Sequence, residues 1–212
     1  LLSSSRWAFS LSLSRPLAAM PTSVLIANCT FSASRASGII IQSNNVIIRN
    51  TTIASVSSAG IDVGGYYHSF SESPFSSNLL LEHNFIQDVG RGHRTIVPGQ
   101  TWGRNAAAIR MAGDAQFPNA TSLHSNIVVR NNTLHVAATS VRGQPQHALD
   151  VMATTKLQIL ENFYFYPRTN DGGVLCKGVD GGEQPVRLSH CTDVVQRGNV
   201  CCEGDGTNCT AC

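Results

Sequence analysis

The sequence predicts an all-β solenoid, a right-handed parallel β-helix with three short strands in each coil. Three observations predict it. A segment of aliphatic residues, one polar residue, one or two Asn or His, and a further aliphatic or aromatic residue recurs along the chain. Between its copies lies a second segment of strictly alternating character. No apolar pattern at i, i+3 and i+4 runs longer than two turns, so amphipathic helices do not compete.

The first segment reads Val24-Leu25-Ile26-Ala27-Asn28-Cys29-Thr30-Phe31 and then Val46-Ile47-Ile48-Arg49-Asn50-Thr51-Thr52-Ile53. It returns from Leu79 to Ile86, from Ile127 to Leu134 and from Gln158 to Phe165, with a degraded copy at Val194–Val200. The second begins at Gly38, Gly60, Ala108, Ala148 and Gly173, and the last of these runs Gly173-Val174-Leu175-Cys176-Lys177. Asn28 and Asn50 stand 22 residues apart, which sets the clean unit. Longer intervals are read as insertions confined to loops. Runs of four to six residues match strand length, and alternation places i and i+2 on one face. Stacking such units pairs each strand with its counterpart one coil on, giving parallel sheets without crossover helices. Asn suits the left-handed backbone of a tight corner. About five to six coils follow. Residues 1–21 are read as an N-terminal segment or incomplete first coil, 22–190 as the β-helix, and 191–212 as the last coil and a Cys-rich cap.

Composition bounds the function. Charged residues make up 13% of the 212 and hydrophobic ones 42%, which suits an ordered chain. Formal net charge is +2, and no basic run is interleaved with aromatics, so no nucleic-acid partner is expected. No apolar run reaches eighteen residues, so no membrane-spanning helix is expected. Six of the seven cysteines fall in the last 37 residues, a density that points to disulfides in an oxidising compartment. Cys209-x-x-Cys212 with Cys201 or Cys202 is the alternative, a zinc site. Five Asn-x-Ser/Thr sequons, at Asn28, Asn50, Asn119, Asn131 and Asn208, agree with secretion.

These repeats, over about residues 22 to 200, resemble those of the pectate-lyase-like superfamily, the pectin lyase fold. The resemblance implies strands PB1, PB2 and PB3 in each coil, with an Asn ladder at the turn after PB2. By that analogy Val46–Arg49 is a PB2, Thr51–Ile53 a PB3 and Ile61–Val63 the next PB1. Asn28, Asn50, Asn131 and Asn162 are expected in the ladder, with His83 replacing Asn in one coil. Ladder membership would leave Asn119 and Asn208 as the glycosylation sites.

The resemblance also implies a secreted, monomeric protein acting on acidic, uronate-containing polysaccharide in a groove along PB1. Alternation puts Ile40, Asp62, Arg110, Asp150 and Leu175 on the outward face of PB1. Asp62, Arg110 and Asp150 are therefore the catalytic candidates. Tyr66, Tyr67, His68, His93, Arg94, His147 and Lys177 lie in or beside the flanking loops and are the substrate-binding candidates. Backbones two coils apart are about 9.6 Å apart, so the two carboxyls approach the spacing of inverting glycosidases, about 6.5–9.5 Å. The lyase-like reading is favoured over the hydrolase: Asp62 and Asp150 would instead hold Ca²⁺, and Arg110, His147, Lys177 or a tyrosine would remove the C5 proton. A third reading makes the trio an ion-pair ladder on a non-catalytic glycan-binding or extracellular structural module. The Asn-Thr-Asp, Asp-Asp and Gly-His-Gly motifs of polygalacturonases do not occur.

Overall fold

The structure is a computed structural model that describes residues 22–64, 75–90, 107–111, 122–135, 147–166, 185–203 and 208–211. Every regular element among them is a strand. One parallel sheet corresponds to PB1 and contains β3 (Ile39–Ile41), β6 (Ile61–Val63), β9 (Ile109–Met111), β12 (Leu149–Met152) and β15 (Val186–Ser189). A second, PB2, contains β1 (Val24–Ala27), β4 (Val46–Arg49), β7 (Ser76–Glu82), β10 (His124–Arg130), β13 (Thr154–Leu160) and β16 (Thr192–Arg197). The third, PB3, contains β2 (Thr30–Ser32), β5 (Thr52–Val56), β8 (Phe85–Val89), β11 (Thr133–His135), β14 (Phe163–Tyr166) and β17 (Val200–Glu203). Each strand pairs with the strand three places on in the chain, the signature of a three-sided coil. The segment at 194–200, degraded in sequence, completes a full copy through β16 and β17.

Alternation sends one residue in two to the interior, where identical positions stack. Val46, Leu79, Ile127 and Leu157 form one PB2 column, and Ile48, Leu81, Val129 and Ile159 the next. All eight are at most 3% exposed. Ile61, Ile109 and Leu149 in PB1 and Ile53, Ile86, Leu134 and Tyr164 in PB3 complete the interior at 0%. Each such aliphatic side chain contributes about 1.5–3 kcal/mol on burial, so the stacked interior dominates the fold's stability.

The corner between PB2 and PB3 corrects the expected ladder by one residue. Asn84, Asn132, Asn162 and Asn199 are the buried amides. Each accepts, at its Oδ1, the backbone N–H of the ladder residue one coil earlier, at 3.0–3.1 Å from Thr51, Asn84, Asn132 and Asn162 in turn. Each Nδ2 donates to a PB2 carbonyl, from Ile48, Leu81, Val129 and Ile159. Asn162 is a ladder member, as the resemblance implies. Asn28, Asn50, His83 and Asn131 are not members: they precede it, at φ of 49–56°, in a column that Glu161 and Gly198 extend. That conformation costs an ordinary L-residue about 1–2 kcal/mol and costs Asn or Gly less.

A second correction concerns the last PB1 strand. Gly173–Lys177 lies outside the described residues, and the strand paired with β12 is Val186–Ser189. At the C-terminal end, β18 (Asn208–Ala211) turns back antiparallel on β17. Cys202 and Cys209 are disulfide-bonded there, and Cys201 is disulfide-bonded as well. The tail cysteines so engaged form disulfides and not a zinc site, and the antiparallel strand covers the end of the PB3 sheet that would otherwise lie open.

Candidate functional site

The central residues of the PB1 strands face outward in one column: Ile40, Asp62, Arg110, Asp150 and Arg187. The register places Asp62 beside Arg110, Arg110 beside Asp150, and Asp150 beside Arg187. The structure therefore brings the three expected residues together and adds a fourth. Four consecutive coils carry acid, base, acid, base.

The charges are spent on one another in two forks. Arg110 Nε donates to Asp62 Oδ1 at 3.0 Å and its Nη2 to Oδ2 at 2.9 Å. Ser37 Oγ donates to the same Oδ2 at 3.3 Å. One fork further along, Arg187 Nε and Nη2 donate to Asp150 Oδ1 and Oδ2 at 2.7 and 2.6 Å. Bidentate guanidinium–carboxylate pairs of this kind combine charge with a fixed geometry. The acids lie beneath their partners: Asp62 is 1% and Asp150 3% exposed, whereas the side chains of Arg110 and Arg187 are 12% and 38% exposed.

Both acids are engaged in a way that the expected roles would have to undo. An inverting glycosidase needs one carboxyl to give a proton and another to activate water, each with an open face toward the substrate. Neither acid presents one here. For Ca²⁺, the cation would have to displace a guanidinium before either aspartate could coordinate it. Among the described residues no group of three His, Cys, Asp or Glu is placed to hold a metal ion.

Of the substrate-binding candidates, His147 is half-buried two residues before β12. Tyr66, Tyr67, His68, His93, Arg94 and Lys177 lie outside the described residues, as does Asn119; Asn208 opens β18. Arg187 was missed because the better alternation at 173–177 competed for its strand. The charge sequence itself held the signal, since an acid at Asp150 asks for a base one coil on.

The family model for the right-handed β-helix region matches residues 19–192. The chain belongs to the right-handed β-helix family. The match spans PB1 from β3 to β15, so the Asp–Arg forks are carried on the regular coils of the β-helix and not on an appended segment. No curated protein and no solved structure matches the chain. Among the described residues of this β-helix, no helix is long and apolar enough to cross a membrane.

A second cluster lies on the outer face of PB3. His135 stacks on Phe165, with ring centroids 4.7 Å apart and planes within 10°, and meets Phe85 at 5.1 Å. Burial between these rings holds the His135 pKa below its ordinary value of 6.5. His135 is not among the residues that the sequence singles out.

Proposed function

We propose that this β-helix is an extracellular module that binds acidic polysaccharide along PB1 without cleaving it. The observation that carries the proposal is the pairing of both PB1 aspartates, by both oxygens, with arginines on the next coil. Elimination from a uronate needs a free base and a cation to neutralise the substrate carboxylate; hydrolysis needs an available acid and base. The ladder offers neither set. It does offer five parallel strands in register, a regular row that suits an extended polymer better than a compact ligand.

Three further points support the reading. The resemblance to polysaccharide-binding β-helices favours the PB1 side. In the chain Tyr66, Tyr67 and His68 fall between β6 and β7, and His93 and Arg94 between β8 and β9, so each group directly follows or precedes a PB1 strand in sequence. The disulfides favour an oxidising compartment.

The test uses polygalacturonate with the full chain, with and without Ca²⁺ and with a chelator. Saturable binding with no new products, indifferent to Ca²⁺, is the expected result. Unsaturated products would establish a lyase, and new reducing ends without unsaturation a hydrolase; either overturns the proposal. No binding and no products would leave a structural module and overturn it as well.

A further inference from the structure

The one-residue shift at the PB2–PB3 corner changes the status of three sequons. Asn28-Cys29-Thr30, Asn50-Thr51-Thr52 and Asn131-Asn132-Thr133 each straddle the corner in the same way. The middle residue turns inward, where Thr51 and Asn132 are at most 1% exposed. The Asn before it adopts the left-handed conformation, at φ of 56°, 49° and 53° respectively. The Thr after it begins PB3, and Thr30, Thr52 and Thr133 share one outward column through β5 and β8.

Asn28 and Asn50 are exposed and Asn131 is half-buried. No side-chain amide of the three has a hydrogen-bond partner among the described residues. The ladder that would have consumed them is built from their neighbours. Each amide nitrogen is thus presented at a convex corner, with its recognition threonine on the same outer surface.

We propose that Asn28, Asn50 and Asn131 are N-glycosylation sites, forming a line of sugars along the corner opposite PB1. The reaction joins Asn Nδ2 to C1 of an oligosaccharide carried on a lipid diphosphate. The C1–O bond to the diphosphate breaks, the lipid diphosphate leaves, and the amide gives up one proton to the transferase. The inference rests on the extracellular reading, since the donor is met only by exported chains. It also deepens that reading. In a three-sided coil the PB2–PB3 corner faces away from PB1, so sugars there leave the polysaccharide face clear. Asn28 and Asn50 occupy adjacent coils, about 4.8 Å apart, and Asn131 lies two coils beyond Asn50.

The test is site-resolved mass spectrometry after the full chain, fused to a cleavable export leader, is secreted from a eukaryotic host. Peptide N-glycosidase converts each occupied Asn to Asp. Conversion is expected at residues 28, 50 and 131. It should be lost one site at a time in Thr30→Val, Thr52→Val and Thr133→Val. These variants keep a β-branched residue in the strand and leave the left-handed Asn in place, so sheet circular dichroism should not change. Exported protein with the three sites empty, whether or not Asn119 or Asn208 carries sugar, would overturn the proposal. Because the leader is supplied, that result counts against the sites alone. The extracellular reading is judged separately, by where the protein accumulates in its source cells.

Discussion

Replacing Asn132 by Ala and, separately, Asn131 by Gly perturbs two adjacent residues that the fold uses in opposite ways. Asn132 Oδ1 accepts from Asn84 N–H and Asn84 Nδ2, both at 3.0 Å, and its Nδ2 donates to Leu81 O at 2.9 Å and Asn162 Oδ1 at 3.0 Å. Truncation removes all four bonds inside a corner that is 0% exposed. Two of the partners keep a second bond, since Asn84 Nδ2 still reaches Ile48 O and Asn162 Oδ1 still accepts the residue-132 N–H. The penalty therefore falls on Asn84 N–H, on the weakened Leu81 carbonyl and on the cavity. A buried polar group without a partner costs about 1–3 kcal/mol, so the total is about 2–4 kcal/mol. Asn131→Gly removes an outward amide from a left-handed position that glycine adopts without strain, and its effect should stay within about 0.5 kcal/mol. Asn131→Ala should cost about 1–2 kcal/mol for the left-handed backbone alone. Urea unfolding of unglycosylated protein, with the midpoint read at unchanged slope, measures all three. Equal losses at residues 131 and 132, or a larger loss for Asn131→Gly, would refute the assignment of the two columns.

His135 should titrate below 6.5 in the folded protein, because burial between Phe85 and Phe165 disfavours its charged form. The unfolded chain then binds the proton more readily, so this residue's contribution is present above about 6.5 and is lost as pH falls toward the lowered folded value. Phe165→Ala should return the titration, followed by NMR, toward 6.5; a wild-type midpoint at or above 6.5 would contradict the stated cause. Gly60→Ala should destabilise by about 1–3 kcal/mol through overpacking. The added Cβ would sit 2.5 Å from Ile86 Cγ2 and 2.8 Å from the Ala108 carbonyl oxygen, and an unchanged Tm would show that the coils yield more than this packing allows.

Strand placement was legible because burial imposes the alternation directly. β4 and β6 lie where the repeats put them, at Val46–Arg49 and Ile61–Val63. The corner was legible in kind but not in register, for a chemical reason. Asn satisfies two different demands there, a left-handed backbone and a buried amide ladder, so Asn131 and Asn132 look alike in sequence. Glu161 held the clue. Aligned on the preceding aliphatic triplets it falls in the column of Asn50 and His83, which moves Asn162 into line with Asn84 and Asn132. In PB1 the outward residues followed from alternation alone. Their pairing did not, because a carboxylate that would be free beside one arginine is closed off when arginines follow both acids. Arg187 supplied that second closure from a strand only four residues long.

The central claim is that Asp62, Arg110, Asp150 and Arg187 spend their charges on each other. A double-mutant cycle on folding stability, with Asp62→Asn, Arg110→Met and the combined variant, tests it most directly. The claim predicts that Arg110→Met alone costs about 3–5 kcal/mol, because it strands a buried carboxylate. It also predicts that Asp62→Asn relieves much of that loss, giving a coupling well above about 0.5 kcal/mol. Additive effects within about 0.5 kcal/mol would contradict it. They would return the aspartates to the list of groups free to do chemistry.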